Sequence, residues 1–235
     1  MKRATMELGG HAPVLVFDDA DVDNAINVMA PTKLRNAGQV CVSPTRFLVQ
    51  ENAAEKFIDG FVAAMEGAKV GNGLDPETEM GPLANERRIP AMEAMIADAQ
   101  SKGAELVTGG DRIGNQGYFF QPTVLRNVSP DSVAMNDEPF GPMALINTFK
   151  TYDEAVHEAN RLPYGLAAYA FTSSAETLQK LGREVESGML TVNHVGLALP
   201  EVPFGGIQDS GYGTEGGSDA VEPYLETRFV TALTS

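Results

Sequence analysis

At 235 residues and 43% hydrophobic, the chain carries enough apolar material for one sizeable core, built either as a single α/β domain or as two small ones. A formal charge of −15 argues against a phosphate-binding surface, which needs clustered Lys and Arg, so no nucleic-acid partner is expected. The single cysteine cannot close an internal disulfide, and no apolar run reaches the roughly 18 residues of a membrane span, so a reducing, cytoplasmic compartment and no membrane contact are expected.

The start Met1-Lys2-Arg3-Ala4-Thr5 has two positive charges without the apolar run of a signal peptide. Residues 13–17 form a short apolar strand, and the acids of Asp21-Val22-Asp23 suit the start of a helix running to about Asn36. Residues 45–50 read as a strand and 53–68 as an amphipathic helix, with Phe57, Phe61, Ala64 and Met65 along one side. A Gly/Pro-rich connection over 71–82 closes that unit. Then follow a helix at 89–102, a strand at 105–108, an extended stretch at 119–125, a strand at 144–149, a helix at 152–161, a strand at 167–171, a helix at 175–186 and a strand at 189–193. This alternation predicts an α/β fold, a mostly parallel sheet covered by helices. Gly and Pro crowd over 196–217, and a lone strand at 224–231 closes the chain in need of a partner.

Cys41, in Arg35-Asn36-Ala37-Gly38-Gln39-Val40-Cys41, is the candidate nucleophile. Gly38 permits close backbone approach, and backbone N–H groups beside a cysteine on a turn stabilise both a thiolate and an oxyanion. Glu7, in Glu7-Leu8-Gly9-Gly10, is the candidate general base, which only folding can bring to Cys41. Such a pair supports covalent chemistry at a carbonyl, with the thiol attacking and the acid activating water. The string Gly211-Tyr212-Gly213-Thr214-Glu215-Gly216 fits the dinucleotide fingerprint by pattern. Polar Gln208-Asp209-Ser210 stands where the preceding strand should be, so that reading is rejected. His11, His157 and His194 are widely spaced, and no metal is assigned.

Four segments occur in order: Glu7-Leu8-Gly9-Gly10 with Pro13, Asn36-Ala37-Gly38-Gln39-Val40-Cys41, Glu138-Pro139-Phe140-Gly141-Pro142, and Pro203-Phe204-Gly205-Gly206 through Ser210-Gly211-Tyr212-Gly213. Together they resemble the catalytic domain of the NAD(P)-dependent aldehyde dehydrogenase superfamily over about Met6 to Phe229. The resemblance implies NAD or NADP as cofactor, a Cys41 thiohemiacetal that expels hydride, and a thioester hydrolysed with Glu7 as base. It places Glu138 on the nicotinamide ribose, Phe140 on the nicotinamide ring, and Leu8 and Gly9 in the same cofactor site. A loop acid and a core Phe before a Gly-Pro turn is the plainer alternative for Glu138 and Phe140.

The word Leu34-Arg35-Asn36-Ala37-Gly38-Gln39 is most similar to the succinate-semialdehyde dehydrogenase branch, where this Arg binds the substrate's acid. The resemblance thus implies an acid semialdehyde held by Arg35. A structural Arg paired to a nearby Asp is the alternative. The branch's common second cysteine is Ser43 here, a carboxylate-binding Ser aligns with Ala198, and two usual lysines are His11 and Gln208. Family members are about twice as long, so the resemblance implies a catalytic domain over 1–217, an oligomerisation segment over 218–235 and a cofactor-binding domain absent from the N-terminal side. A homo-oligomer is implied in the full-length enzyme. Two further readings are a truncated, non-catalytic module that associates with related subunits and a thiol esterase that needs no cofactor.

Overall fold

The computed structural model describes residues 2–234, and in it the apolar runs become a seven-stranded sheet with helices on both faces. In chain order the elements begin with a short strand β1 (Met6–Glu7), strand β2 (Ala12–Val16) and helix α1 (Val22–Leu34). Strand β3 (Pro44–Gln50), helix α2 (Glu51–Gly67), helix α3 (Arg88–Ser101), and strands β4 (Glu105–Thr108) and β5 (Thr123–Arg126) follow. Next come the short helix α4 (Val133–Asn136), strand β6 (Met143–Phe149), helix α5 (Tyr152–Ala159), and strands β7 (Tyr164–Gly165) and β8 (Ala167–Phe171). Helix α6 (Ala175–Glu184), strand β9 (Met189–Val192) and the two-residue strands β10 (Ile207–Gln208) and β11 (Gly211–Tyr212) complete the set.

The main sheet has the order β4-β5-β6-β3-β2-β8-β9, and every neighbouring pair is parallel except β4 with β5. Both faces are covered, which is why β2 and β8 are buried along their whole length instead of alternating with polar residues. Val14 and Val16 point into the larger core with Met29, Phe47, Phe57 and Phe61, while Leu15 points to the other face, where Phe17, Phe149, Ala155 and Leu181 pack.

Local chemistry sets the helix starts. Asp21 accepts from Asn24 N–H at the head of α1, Ser174 accepts from Thr177 N–H at α6, and Thr151 with Glu154 closes a capping box on α5. Buried Arg46 on β3 stops α5 from the other end by donating to the carbonyls of Glu158 (2.7 Å) and Ala159 (3.0 Å).

The expected helices and sheet strands match these elements to within a few residues, with one exception. The strand expected over 224–231 does not form. A 3₁₀ turn spans Ser218–Tyr224, and the chain beyond it has no regular structure. The physical reason is the one that made a lone strand conspicuous: no neighbour among the described residues offers it a ladder, and Phe229 stays 87% exposed.

Candidate active site

Three loops meet at the amino ends of adjacent parallel strands: residues 7–11 lead into β2, 35–43 into β3 and 138–142 into β6. Open α/β sheets usually carry their sites at the carboxyl ends of the strands, so this sheet is used from its opposite edge.

The Cys41 loop is built from unusual backbone. As α1 ends, Asn36, Ala37 and Gly38 take φ values of 51°, 54° and 70° in succession. Three left-handed residues in a row, two of them not glycine, cost about 1–2 kcal/mol for each non-glycine residue. The cost is met by side-chain ties: Asn36 Nδ2 donates to Gln39 O (2.9 Å), Gln39 Nε2 donates back to Asn36 O (3.0 Å), and Gln39 Oε1 accepts from Ala84 N–H (2.8 Å). A turn closed by Ser43 N–H on Val40 O (2.9 Å) then presents Cys41, half-buried. The Asn-Ala-Gly-Gln word therefore encodes a reversal of the chain, and the thiol stands just after it.

The glycines let the loops touch. A Cβ on Gly38 would lie 2.0 Å from Gly141 O, one on Gly10 would lie 2.9 Å from Cys41 O, and one on Gly9 would lie 2.6 Å from Glu138 Oε2. The Gly9-Gly10 pair thus threads between Cys41 and Glu138 with only backbone to spare. Glu7 is fixed from the far end of the sequence: Met6 and Glu7 pair with Tyr212 and Gly211, and buried Ser210 donates through Oγ to Gly9 O (2.7 Å) while accepting from Gly165 N–H (3.1 Å). The Ser210-Gly211-Tyr212-Gly213 motif is a clamp on the Glu7 segment, with no strand–turn–helix in it.

Glu7 and Cys41 are brought together. Burial pushes the Cys41 thiol up to about 12, the neighbouring Glu7 carboxylate adds to the rise, and Val42 N–H, directed at the sulfur, works against it. Glu7 Oε1 is buried and has no hydrogen-bond partner among the described residues. Glu138 stands across Gly9-Gly10: its Oε1 accepts from Gly10 N–H (3.1 Å), and its Oε2, beside Gly9, makes no hydrogen bond among the described residues. Burial raises its carboxyl above the ordinary carboxylate value, opposed by the Gly10 bond and by the charges of Lys33 and Arg88. Phe140 sits beside it at φ 44°, held in place by Arg88, whose guanidinium donates to Pro139 O. Leu8 is exposed at the same mouth.

Arg35 is exposed where α1 ends, and no carboxylate lies within ion-pair distance of it among the described residues. It lines a cavity of about 240 Å³ with Val40, Val42, Ser43, Tyr169 and Val195. Tyr169 forms the wall, its hydroxyl donating to Val42 O (2.6 Å). Lys33 and Tyr169 escaped the sequence reading. Lys33 falls on the buried side of an otherwise apolar helix face, and Tyr169 sits within a strand that reads as core; neither carries a local signal. His11 is also buried, between Thr45 Oγ1 (2.7 Å) and Ala134 O (2.9 Å), and burial followed by the Arg46 charge lowers it to about 3, so it is a neutral tie beneath the site.

With this geometry in hand, comparison with known proteins is decisive for kinship. The model of the aldehyde dehydrogenase family matches residues 1–230. The chain belongs to the aldehyde dehydrogenase family. It is 45% identical over 230 residues to a putative 4-(hydroxymethyl)benzenesulfonate dehydrogenase, TsaD2, of Comamonas testosteroni, covering 98% of this chain and 48% of that protein. It is 43% identical to a mitochondrial succinate-semialdehyde dehydrogenase of Oryza sativa subsp. japonica, covering 98% of this chain and 44% of that one. The solved structure of an NADP dependent enzyme from E. coli superposes with a TM-score of 0.92 at 39% identity, covering 94% of this chain and 46% of that chain. This aldehyde dehydrogenase chain thus spans about half the length of the curated relatives it matches. Among its described residues no helix is long and apolar enough to cross a membrane, and no group of three His, Cys, Asp or Glu could hold a metal.

Proposed function

We propose that this chain is the catalytic part of an NAD(P)-dependent enzyme that oxidises an aldehyde bearing a distal anionic group, an acid semialdehyde such as succinate semialdehyde, to a carboxylate. The observation that carries this reading is the placement of the Glu7 carboxylate beside the Cys41 thiol, with Glu138 on the other side of a two-glycine spacer.

In the proposed cycle Cys41 gives up its proton to solvent water, and its thiolate attacks the aldehyde carbon to form a thiohemiacetal whose oxyanion lies beside the Cys41 turn. Bound NAD(P) supplies the hydride acceptor, leaving a thioester on Cys41. Glu7 then takes a proton from water, the water oxygen adds to the thioester carbon, and the C–S bond breaks to release the acid and return the thiol. The residues present fit the nicotinamide half of the cofactor. Glu138 has one oxygen held by Gly10 and one free to accept from ribose hydroxyls, Phe140 flanks it, and Gly9 and Leu8 complete the mouth. Arg35, without a carboxylate partner among the described residues, is the anchor for the substrate's anion.

The same reading assigns residues 1–217 to catalysis and 218–235 to assembly with another subunit, and it gives the adenosine end of the cofactor to the part of the relatives this chain does not span. Exposed Phe229, Val230 and Leu233 support a covered position for that final segment in a homo-oligomer.

The test is NAD(P)H formation from succinate semialdehyde in the full-length enzyme. Cys41→Ala should abolish it. Arg35→Leu should raise the KM for the acid semialdehyde and spare a neutral aldehyde, since only the former loses a charge-assisted contact of about 2–3 kcal/mol. Equal effects on both aldehydes would remove Arg35 from the substrate site, and turnover surviving Cys41→Ala would overturn the whole reading.

A further inference from the structure

Lys33 is fully buried in the last turn of α1, yet its ammonium has a single hydrogen bond, to Ser43 Oγ at 3.1 Å, and no carboxylate within ion-pair distance among the described residues. Burying an ammonium without a close partner costs several kcal/mol, so packing alone gives no reason for a lysine in place of methionine. Its surroundings are specific. Ser43 closes the turn that presents Cys41, and a Cβ on Gly38 would lie 3.2 Å from Lys33 Nζ and 2.0 Å from Gly141 O. The ammonium therefore lies where the Cys41 loop meets the Glu138 loop. The carboxylate whose charge acts on it is Glu138, which is itself bonded by Gly10 N–H and feels the charges of Glu7 and Arg88.

We propose that Lys33 is a positioning residue that ties the Cys41 turn to the Glu138 loop and keeps Glu138 ionised and aimed for the nicotinamide ribose. The inference rests on the reading of Glu138 as the ribose acceptor. Burial draws Lys33 down to about 7, with Glu138 pulling it back up, and burial raises Glu138 while Lys33 opposes the rise. Each charge is thus favoured by the other across the loop junction. Lys33 makes no hydrogen bond to Cys41 among the described residues, so it acts through Ser43 and Glu138.

The experiment is calorimetric binding of NAD(P)H and of ADP, which lacks the nicotinamide ribose, to the full-length enzyme and its variants. Lys33→Met should raise the Kd for NAD(P)H about tenfold and leave ADP unchanged, with no loss of thermal stability, because an apolar side chain of the same length replaces a costly buried charge. Glu138→Gln should show the same selective loss, and the double variant should bind no worse than Glu138→Gln alone. If Lys33→Met shifts both ligands equally or neither, while Glu138→Gln shifts NAD(P)H alone, the positioning role is wrong and the ribose reading stands. If Glu138→Gln leaves NAD(P)H binding intact, the ribose reading itself is wrong. Should Lys33→Met fail to fold, Ser43→Ala keeps the charge and removes its anchor; it should weaken NAD(P)H selectively, and unchanged NAD(P)H binding would overturn the proposal.

Discussion

Residues 35–43 and residues 218–234 both lie outside the α-helices and the main sheet, yet one is packed against neighbouring loops and the other is left in solvent. In the first, Ala37, Gly38 and Gln39 are buried, and the backbone holds a left-handed run against its intrinsic cost through Asn36, Gln39 and Ala84. In the second, Tyr224, Phe229 and Leu233 are 88%, 87% and 99% exposed, and Arg3 reaches across to Leu225 O and Glu226. Irregular backbone is therefore not one category. Where loops from three strands meet, glycine contacts and side-chain ties fix a single geometry; where little beyond the exposed Arg3 meets the chain, apolar residues alone do not order it.

The contrast is broken most directly at Gly38. Gly38→Ala puts a side chain at φ 70° and 2.0 Å from Gly141 O, a backbone atom that cannot swing aside. Denaturant unfolding should show a loss of about 3 kcal/mol or more, with the Cys41 and Glu138 loops pushed apart. A loss below about 1 kcal/mol would mean that the loop junction is slack.

Acid tests the ties beneath the site. His11 is lowered from 6.5 to about 3, chiefly by burial, so the unfolded chain binds a proton over that interval and the folded chain does not. Stability from His11 is whole above about 6.5, declines as pH falls and is lost below about 3, a total of a few kcal/mol. Lys33, lowered from 10.5 to about 7, gives a second slope of the same sign at higher pH. Unfolding free energy should rise as pH rises from about 7 to 10.5, and Lys33→Met should flatten that limb without touching the acid one. An unchanged slope in Lys33→Met would place its ammonium in solvent.

A smaller effect separates the two causes that hold the thiol protonated. Burial acts first on Cys41 and the Glu7 carboxylate second, so Glu7→Gln should lower the thiol only part of the way towards its ordinary value. Iodoacetamide alkylation of Cys41 near pH 8 should quicken several-fold in Glu7→Gln, even though thioester hydrolysis would lose its proposed base. Unchanged alkylation would separate the two side chains.

The sequence made much of this legible because its signals were of two kinds. Period and apolar runs located the buried strands at 13–17, 45–50 and 167–171, since a parallel sheet covered on both faces needs continuous Val, Leu, Phe and Ala. The motif words located Glu7, Cys41 and Glu138, and the structure translates those words into geometry: Gly9-Gly10 as a spacer, Asn36 to Gly38 as a reversal, Ser210-Gly211 as a clamp. What stayed hidden depends on distant partners. Lys33 reads as an ordinary helix lysine until Ser43 and Glu138 are placed around it, and Tyr169 reads as core until its hydroxyl finds Val42 O. The expected strand at 224–231 is not formed in the single chain for a related reason, because β-propensity describes fit to a neighbour and the described residues supply none there.

The smallest effect on folding is expected at that same segment. Replacing Phe229 and Leu233 together with Ser removes large apolar side chains that are 87% and 99% exposed, so the unfolding free energy of the isolated chain should change by less than about 0.5 kcal/mol. If the segment is covered by a neighbouring subunit, the same double variant should shift the sedimentation equilibrium of the full-length enzyme towards smaller species, since the apolar area is lost from the interface alone. A loss of more than about 1 kcal/mol in the isolated chain would show the segment packing on its own chain, and the contrast with residues 35–43 would then reduce to one of degree. An unshifted assembly in the face of unchanged folding would leave the apolar tail without an intersubunit role, and the assignment of 218–235 to oligomerisation would fall.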